Sequence, residues 1–226
     1  MSDSPCSSGS PGPAGASSGR SKRAFPGAPG AMLVIVSGPS GVGKDTILDA
    51  LQRRHPDADY CYVVTCTTRA PRAGEIDGID YHFLKPAIFH ALREEGELLE
   101  ANEVHGHWYG TPVAQVREAL GSGRHAILKI DVQGAQVVKR RVAEALLIFI
   151  VPPSLEALFG RLRARATETA DELELRQRNA ALELARQQDY DHVVVNETGQ
   201  VERTAATIES IITAEHARHP GRRIVL

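Results

Sequence analysis

Leu33-Val34-Ile35-Val36-Ser37-Gly38-Pro39-Ser40-Gly41-Val42-Gly43-Lys44-Asp45-Thr46 is the stretch that decides the fold. Its opening apolar, β-branched run, ended by Ser37-Gly38, reads as a buried parallel strand feeding a loop. Gly38 to Lys44 then fits the first seven positions of GxxxxGK[ST], and the spacing predicts a helix from Lys44 to about Arg54. Glycines let the backbone curl so that several N–H groups face a phosphate, while the helix presents its positive end to the same anion. Lys44 adds a mobile charge for the β- and γ-phosphates. Gly38, Pro39, Ser40, Gly41, Val42, Gly43, Lys44, Asp45 and Thr46 are therefore assigned to ATP. A glycine-rich turn with an exposed lysine is the bland alternative, and the flanking strand and helix weigh against it.

Asp45 stands where this motif has the Ser or Thr hydroxyl that meets magnesium, and Thr46 comes one residue late. A carboxylate at a helix start is favoured by the dipole but lies close to phosphate charge. Two readings follow, Asp45 holding Mg2+ through water or Asp45 facing solvent. No residue is assigned as a direct metal ligand.

Working outward, Tyr62 to Cys66 reads as a second strand, and residues 69 to 82 as a loop punctuated by Pro71, Gly74 and Gly78. Further apolar runs at Ala126 to Val132, Leu146 to Val151 and His192 to Val195 alternate with charged helical stretches, which predicts an α/β fold with a doubly wound parallel sheet. Ser154 to Gln188 reads as helical, with Glu172 before Arg176 and Glu174 before Arg178 at i,i+4 spacing.

At 226 residues the chain is long enough for one catalytic unit, and a net charge of -2 gives no footprint for nucleic acid or an anionic membrane. No apolar window is long enough for a membrane span and no secretory signal stands near Met1, so a cytoplasmic protein is expected. Cys6, Cys61 and Cys66 make no metal-ligand pattern. Ser2 to about Gly30 is so rich in Ser, Gly, Pro and Ala that a disordered tail is expected over 1–31, with the folded domain at 32–226. Its few basic residues leave open an organelle transit peptide, although no amphipathic pattern supports one. Met32, directly before the strand, also has the position of an alternative start.

Arg69 and Arg72 lie three apart across the rigid Pro71 and can converge on one phosphate, with Tyr81 adding a hydroxyl. The alternatives are a solvated basic loop for the arginines and a packing role for the tyrosine. The whole stretch Thr67 to Phe83 closely resembles the guanylate kinase signature TTRxPRxGExxGxDYxF, and the resemblance runs from about Leu33 to beyond Asn196. It implies a P-loop nucleoside monophosphate kinase fold with a core parallel sheet, a GMP-binding insertion at about 65–124 and a helical lid at about 154–187.

In that family the residues matching Arg69, Arg72, Tyr81 and Tyr109 hold the phosphate of GMP, and acids matching Glu100 and Asp131 meet the guanine edge, with hydroxyls at Thr65 and Thr111 nearby. Guanine offers N1–H and 2-amino donors where adenine has an acceptor and no 2-amino group, so a carboxylate suits it. Taken alone, Glu100 reads more often as a surface acid, and Asp131 at a strand end as a common cap. The resemblance also implies that Arg161, Arg165 and Arg176 are lid arginines reaching the transferred phosphoryl group with Lys44 and Arg69, and that Asn196 contacts adenine. Lys129 departs from the family, since related kinases often carry an acid there; pairing with Asp131 or with phosphate are both open.

The implied reaction is transfer of the γ-phosphoryl group of ATP to GMP, with dGMP as a second acceptor, Mg2+ accompanying ATP, and a monomer or homo-oligomer as the working form. An attacking phosphate oxygen is already ionised, so no general base is named. Two alternatives stand beside this reading: a kinase for another nucleotide, and a catalytically dead interaction module that binds phosphopeptides. The guanine-edge acids weigh against the first and Gly43-Lys44 against the second.

Overall fold

The computed structural model describes residues 25–54, 59–104, 106–164 and 170–226. Five strands form the core sheet: β1 (Leu33–Ser37), β2 (Tyr60–Tyr62), β7 (His125–Lys129), β8 (Leu146–Val151) and β9 (His192–Val195). Their order is β2-β7-β1-β8-β9, every pairing parallel. Alternation along the strands sends side chains to opposite faces. Leu33, Ile35, Leu128 and Phe149 enter one core with α3 (Val113–Gly121) and α4 (Val132–Arg141). Val34, Val36, Ile127 and Ile148 enter the other with α1 (Lys44–Arg54), α5 (Leu155–Ala164) and α7 (Val201–Arg218). Helices on both faces explain why β1 is apolar at nearly every position.

A second, four-stranded sheet in the order β4-β3-β6-β5 is built from β3 (Cys66–Thr67), β4 (His82–Phe83), β5 (Leu98–Val104) and β6 (His107–Pro112). The helix α2 (Pro86–Glu94) seals it by placing Phe89, fully buried, against Cys66 and Leu98. The strand expected at Tyr62 to Cys66 is thus two strands in two sheets. Val63 and Val64 turn the chain between them, with Val64 N–H donating to Oε1 of Gln115 at 3.0 Å. A continuous apolar run cannot reveal such a change of sheet. Within the insertion expected over 65–124, α3 packs Val116 and Leu120 into the main core.

The helical stretch after Ser154 comprises α5, α6 (Ala170–Leu184) and a 3-10 turn at Ala185–Asp189. Arg178 meets Glu174 at 3.4 Å, as the i,i+4 spacing predicts.

Backbone pairing extends upstream of the boundary expected at Met32. Phe25 and Leu226 exchange backbone hydrogen bonds at 3.0 and 3.1 Å, Gly27 N–H donates to Ile224 at 2.8 Å, Ala28 to Leu120 at 2.9 Å and Gly30 to Arg222 at 2.9 Å. A Gly- and Pro-containing segment does not bury much side chain, but it satisfies backbone groups that the C-terminal segment would otherwise leave unpaired. The rest of the expected tail lies outside the described residues.

Candidate active site

The P-loop curls between β1 and α1. Gly38 has φ 144°, and a Cβ there would lie 2.4 Å from the carbonyl oxygen of Ile150, so only glycine fits the turn out of the strand. Nζ of Lys44 folds back onto the loop, donating to the carbonyls of Gly38 at 2.6 Å and Pro39 at 3.2 Å. Burial pushes its pKa down, opposed by Glu183, Asp45 and Asp131. Asp45 and Thr46 are exposed at the start of α1.

Side chains from the far end of the sequence brace this loop. Asn196, 4% exposed at the end of β9, donates from Nδ2 to the Val42 carbonyl at 2.8 Å and accepts from Thr204 at 3.2 Å. Arg161, on α5, donates to the Val42 carbonyl at 3.1 Å and the Asn196 carbonyl at 3.3 Å. Arg176, on α6, donates to Oγ of Ser40 at 3.1 Å. Arg165 lies outside the described residues.

Glu183, unassigned from sequence, accepts from Ser40 N–H at 3.1 Å. Burial raises its pKa, with the Lys44 ammonium opposing that rise. A carboxylate thus sits on a P-loop amide within the field of the Lys44 ammonium. The signal was available: Glu183 is seven residues, two helical turns, beyond Arg176 and so shares its face.

Across the site, the second sheet presents the predicted acceptor residues. Glu100 on β5 is 3% exposed; Oε1 accepts from Thr111 Oγ1 at 2.7 Å and Oε2 from Asn102 Nδ2 at 2.7 Å. Burial lifts its pKa to about 7 against the pull of these bonds. Asn102 was not anticipated, although a residue two along a strand points to the same face.

Asp131 caps α4, Oδ1 accepting from Gly134 N–H at 2.8 Å. A Cβ on Gly134 would lie 3.0 Å from Glu100 Oε2 and 3.2 Å from Asp131 Oδ1, so the two carboxylates converge on the space that this glycine leaves open. Arg141 on α4 fastens β5 to that helix, donating to the Leu99 carbonyl at 2.5 Å. Thr65, 5% exposed, lies between β2 and β3, in the turn between the sheets.

Arg69 is held in place by Glu75, its two terminal nitrogens each 2.9 Å from a carboxylate oxygen. Its guanidinium lies 5.5 Å from the centroid of the Tyr81 ring, and Tyr81 packs edge-on against Tyr109 at 6.0 Å. Arg72 is exposed, with its backbone N–H tied to Glu75 at 2.7 Å. The structure therefore brings Arg69, Tyr81 and Tyr109 into one cluster. Lys129 meets Asp45, not Asp131, at 2.5 Å.

A family model described as guanylate kinase matches residues 30–215. The chain belongs to the guanylate kinase family.

A guanylate kinase of Halalkalibacterium halodurans is 45% identical over 187 residues, covering 83% of this chain and 90% of the relative. One from a Mycobacterium species is 46% identical over 182 residues, covering 80% and 90%. The crystal structure of guanylate kinase from Anaplasma phagocytophilum superposes with a TM-score of 0.67 at 32% identity, over 82% of this chain and 86% of the other. Guanylate kinases are ATP:GMP phosphotransferases, and this member phosphorylates GMP. The two alternatives raised by the sequence, a different acceptor and a dead interaction module, are set aside. Among the described residues no helix is long and apolar enough to cross a membrane.

Proposed function

We propose that the enzyme works as a soluble cytoplasmic kinase, monomeric or homo-oligomeric, with ATP, GMP and dGMP as its small-molecule partners and Mg2+ accompanying ATP. The observation that carries the assignment of the acceptor site is the convergence of Glu100 and Asp131 beside Gly134. Two neighbouring carboxylates suit the N1–H and 2-amino donors of guanine, with Thr111 and Asn102 already orienting Glu100. Thr65 completes the polar lining beside the base. Arg69, Arg72, Tyr81 and Tyr109 hold the acceptor phosphate.

On the donor side, the P-loop amides from Gly38 to Thr46 bind the ATP phosphates, and Lys44 leaves its own loop carbonyls to meet them. Asn196 acts on ATP through the loop that it braces, and Arg161 and Arg176 steady the lid end of that site. An ionised oxygen of GMP forms a bond to the γ-phosphorus as the bond to the β,γ-bridging oxygen breaks, leaving GDP and ADP. Charge on the equatorial oxygens is met by Lys44, Arg69, Arg161, Arg165 and Arg176.

Magnesium takes most ligands from phosphates and water and needs only one or two protein carboxylates. The exposed Asp45 carboxylate beside Lys44 fits that requirement and would help to hold the ion, which would supply charge neutralisation at the phosphates.

The test separates transfer from acceptor binding. Lys44→Ala and Arg176→Ala are expected to lower kcat by about 10²-fold or more while shifting the GMP KM little; Arg72→Ala should chiefly raise that KM. An exchange of the two patterns would overturn the assignment.

A further inference from the structure

Lys129 and Asp45, far apart in the sequence, touch each other. Nζ of Lys129, at the end of β7, donates to Oδ1 of Asp45, at the start of α1, at 2.5 Å. The same ammonium lies 5.0 Å from the centroid of the Tyr81 ring. It therefore stands at the seam between the P-loop helix and the cluster of Tyr81, Tyr109 and Arg69.

Two observations argue that this charge has work beyond the ion pair. The Lys129 side chain is 22% exposed whereas Asp45 is 65% exposed, so the contact is open to solvent on its acidic side and is worth little as a stabilising bridge. Meanwhile Arg69 has both terminal nitrogens on Glu75. That pair is close to electrically neutral, so a doubly charged phosphate beside it is left with Arg72 as its one uncompensated cation from this loop. Lys129 is placed to supply a second.

We propose that Lys129 is a ligand of the GMP phosphate and that Asp45 is its counter-ion in the empty site. On GMP binding the ammonium exchanges the Asp45 carboxylate for a phosphate oxygen while keeping its place on the face of Tyr81. The inference rests on the assignment of Arg69, Arg72 and Tyr81 to that phosphate.

Calorimetric titration of the full chain with GMP, and separately with guanosine, in the absence of ATP and divalent cations tests it. Lys129→Met should weaken GMP binding about tenfold or more, the scale of one charge-assisted hydrogen bond, and leave guanosine binding unchanged. Asp45→Asn should tighten GMP binding about two- to fivefold, because Lys129 no longer has to leave a carboxylate. Unaltered GMP affinity in Lys129→Met, equal weakening of GMP and guanosine, or weakening by Asp45→Asn would each overturn the proposal. Arg72→Ala is the reference: if it weakens GMP while Lys129→Met does not, only the role of Lys129 falls. If neither does, the acceptor-phosphate assignment falls with it.

Discussion

Thr111 Oγ1 donates to Glu100 Oε1 at 2.7 Å, and Glu100 is only 3% exposed. With Asn102 on the other oxygen, both lone-pair sides of the carboxylate are partly used before any nucleotide arrives. Burial nevertheless dominates and lifts the pKa to about 7. The empty site is thus poised between a protonated and an ionised acid at neutral pH.

Guanine donors select the ionised form, so GMP binding should release a proton and weaken as pH falls below about 7. The GMP Kd is expected to rise close to tenfold for each pH unit below that value, measured by titration from pH 5.5 to 8.5. Glu100→Gln removes this titration and replaces one acceptor by an amide. Its GMP affinity should be weaker, flat with pH, and its GMP to AMP preference narrower. A wild-type profile with no slope would remove Glu100 from the base site.

Gly134→Ala puts a methyl 3.0 Å from Glu100 Oε2 and 3.2 Å from Asp131 Oδ1, tighter than packed atoms tolerate without movement. The GMP KM should rise by about tenfold or more with the ATP KM little changed. An equal rise in both constants would mean that the substitution disturbs the fold and not the acceptor pocket.

Starting the chain at Met32 removes Phe25 to Ala31 and the backbone bonds they make to Leu120, Arg222, Ile224 and Leu226. At about 1 kcal/mol net per hydrogen bond, the loss is a few kcal/mol. For a domain of this size each kcal/mol shifts Tm by roughly 2–4 °C, so Tm should fall by about 5 °C or more. A chain starting at Phe25 is expected to keep the full value, since the residues before it have a composition that buries little. Calorimetric scanning of the two truncations decides this; equal Tm values would restore Met32 as the boundary.

His125 Nδ1 accepts from Met32 N–H at 3.1 Å, and its ring faces Tyr60 at 5.7 Å and His216 at 5.1 Å. Burial, with His216 adding to it and Asp59 opposing, pushes its pKa down to about 4. The unfolded chain then binds more protons here between about pH 6.5 and 4, so stability falls as pH drops through that window. Glu100 acts in the opposite sense, because its raised pKa makes the folded state the better proton binder from about pH 7 down to the ordinary carboxylate range. In a Glu100→Gln background, wild-type His125 should lose on the order of 2 kcal/mol between pH 6.5 and 4.5. His125→Asn, which can still accept from Met32, should lose less. Parallel urea-denaturation curves would sink the assignment.

By itself the sequence determined the β1–loop–α1 phosphate cradle, the parallel sheet and the acceptor motif. Each is written in local order: a short apolar run, glycines at fixed intervals, arginines across a proline. It also pointed to Glu100, Asp131 and the lid arginines as candidates, through a resemblance spread over most of the chain. Tertiary structure decided which side chains meet. Lys129 and Asp45 are 84 residues apart, and Ser40 and Glu183 are 143 apart. Periodicity reports which face of an element is buried and says nothing of the partner across such a loop. Alone, Lys129 beside Asp131 read equally as a lysine for that acid or for phosphate; only the packing of β7 on the start of α1 chose Asp45. Phe25 to Ala31 went unread for a related reason. Its bonds are made by the backbone, which every sequence carries alike, so composition pointed to disorder and the pairing with Ile224 and Leu226 supplied the order.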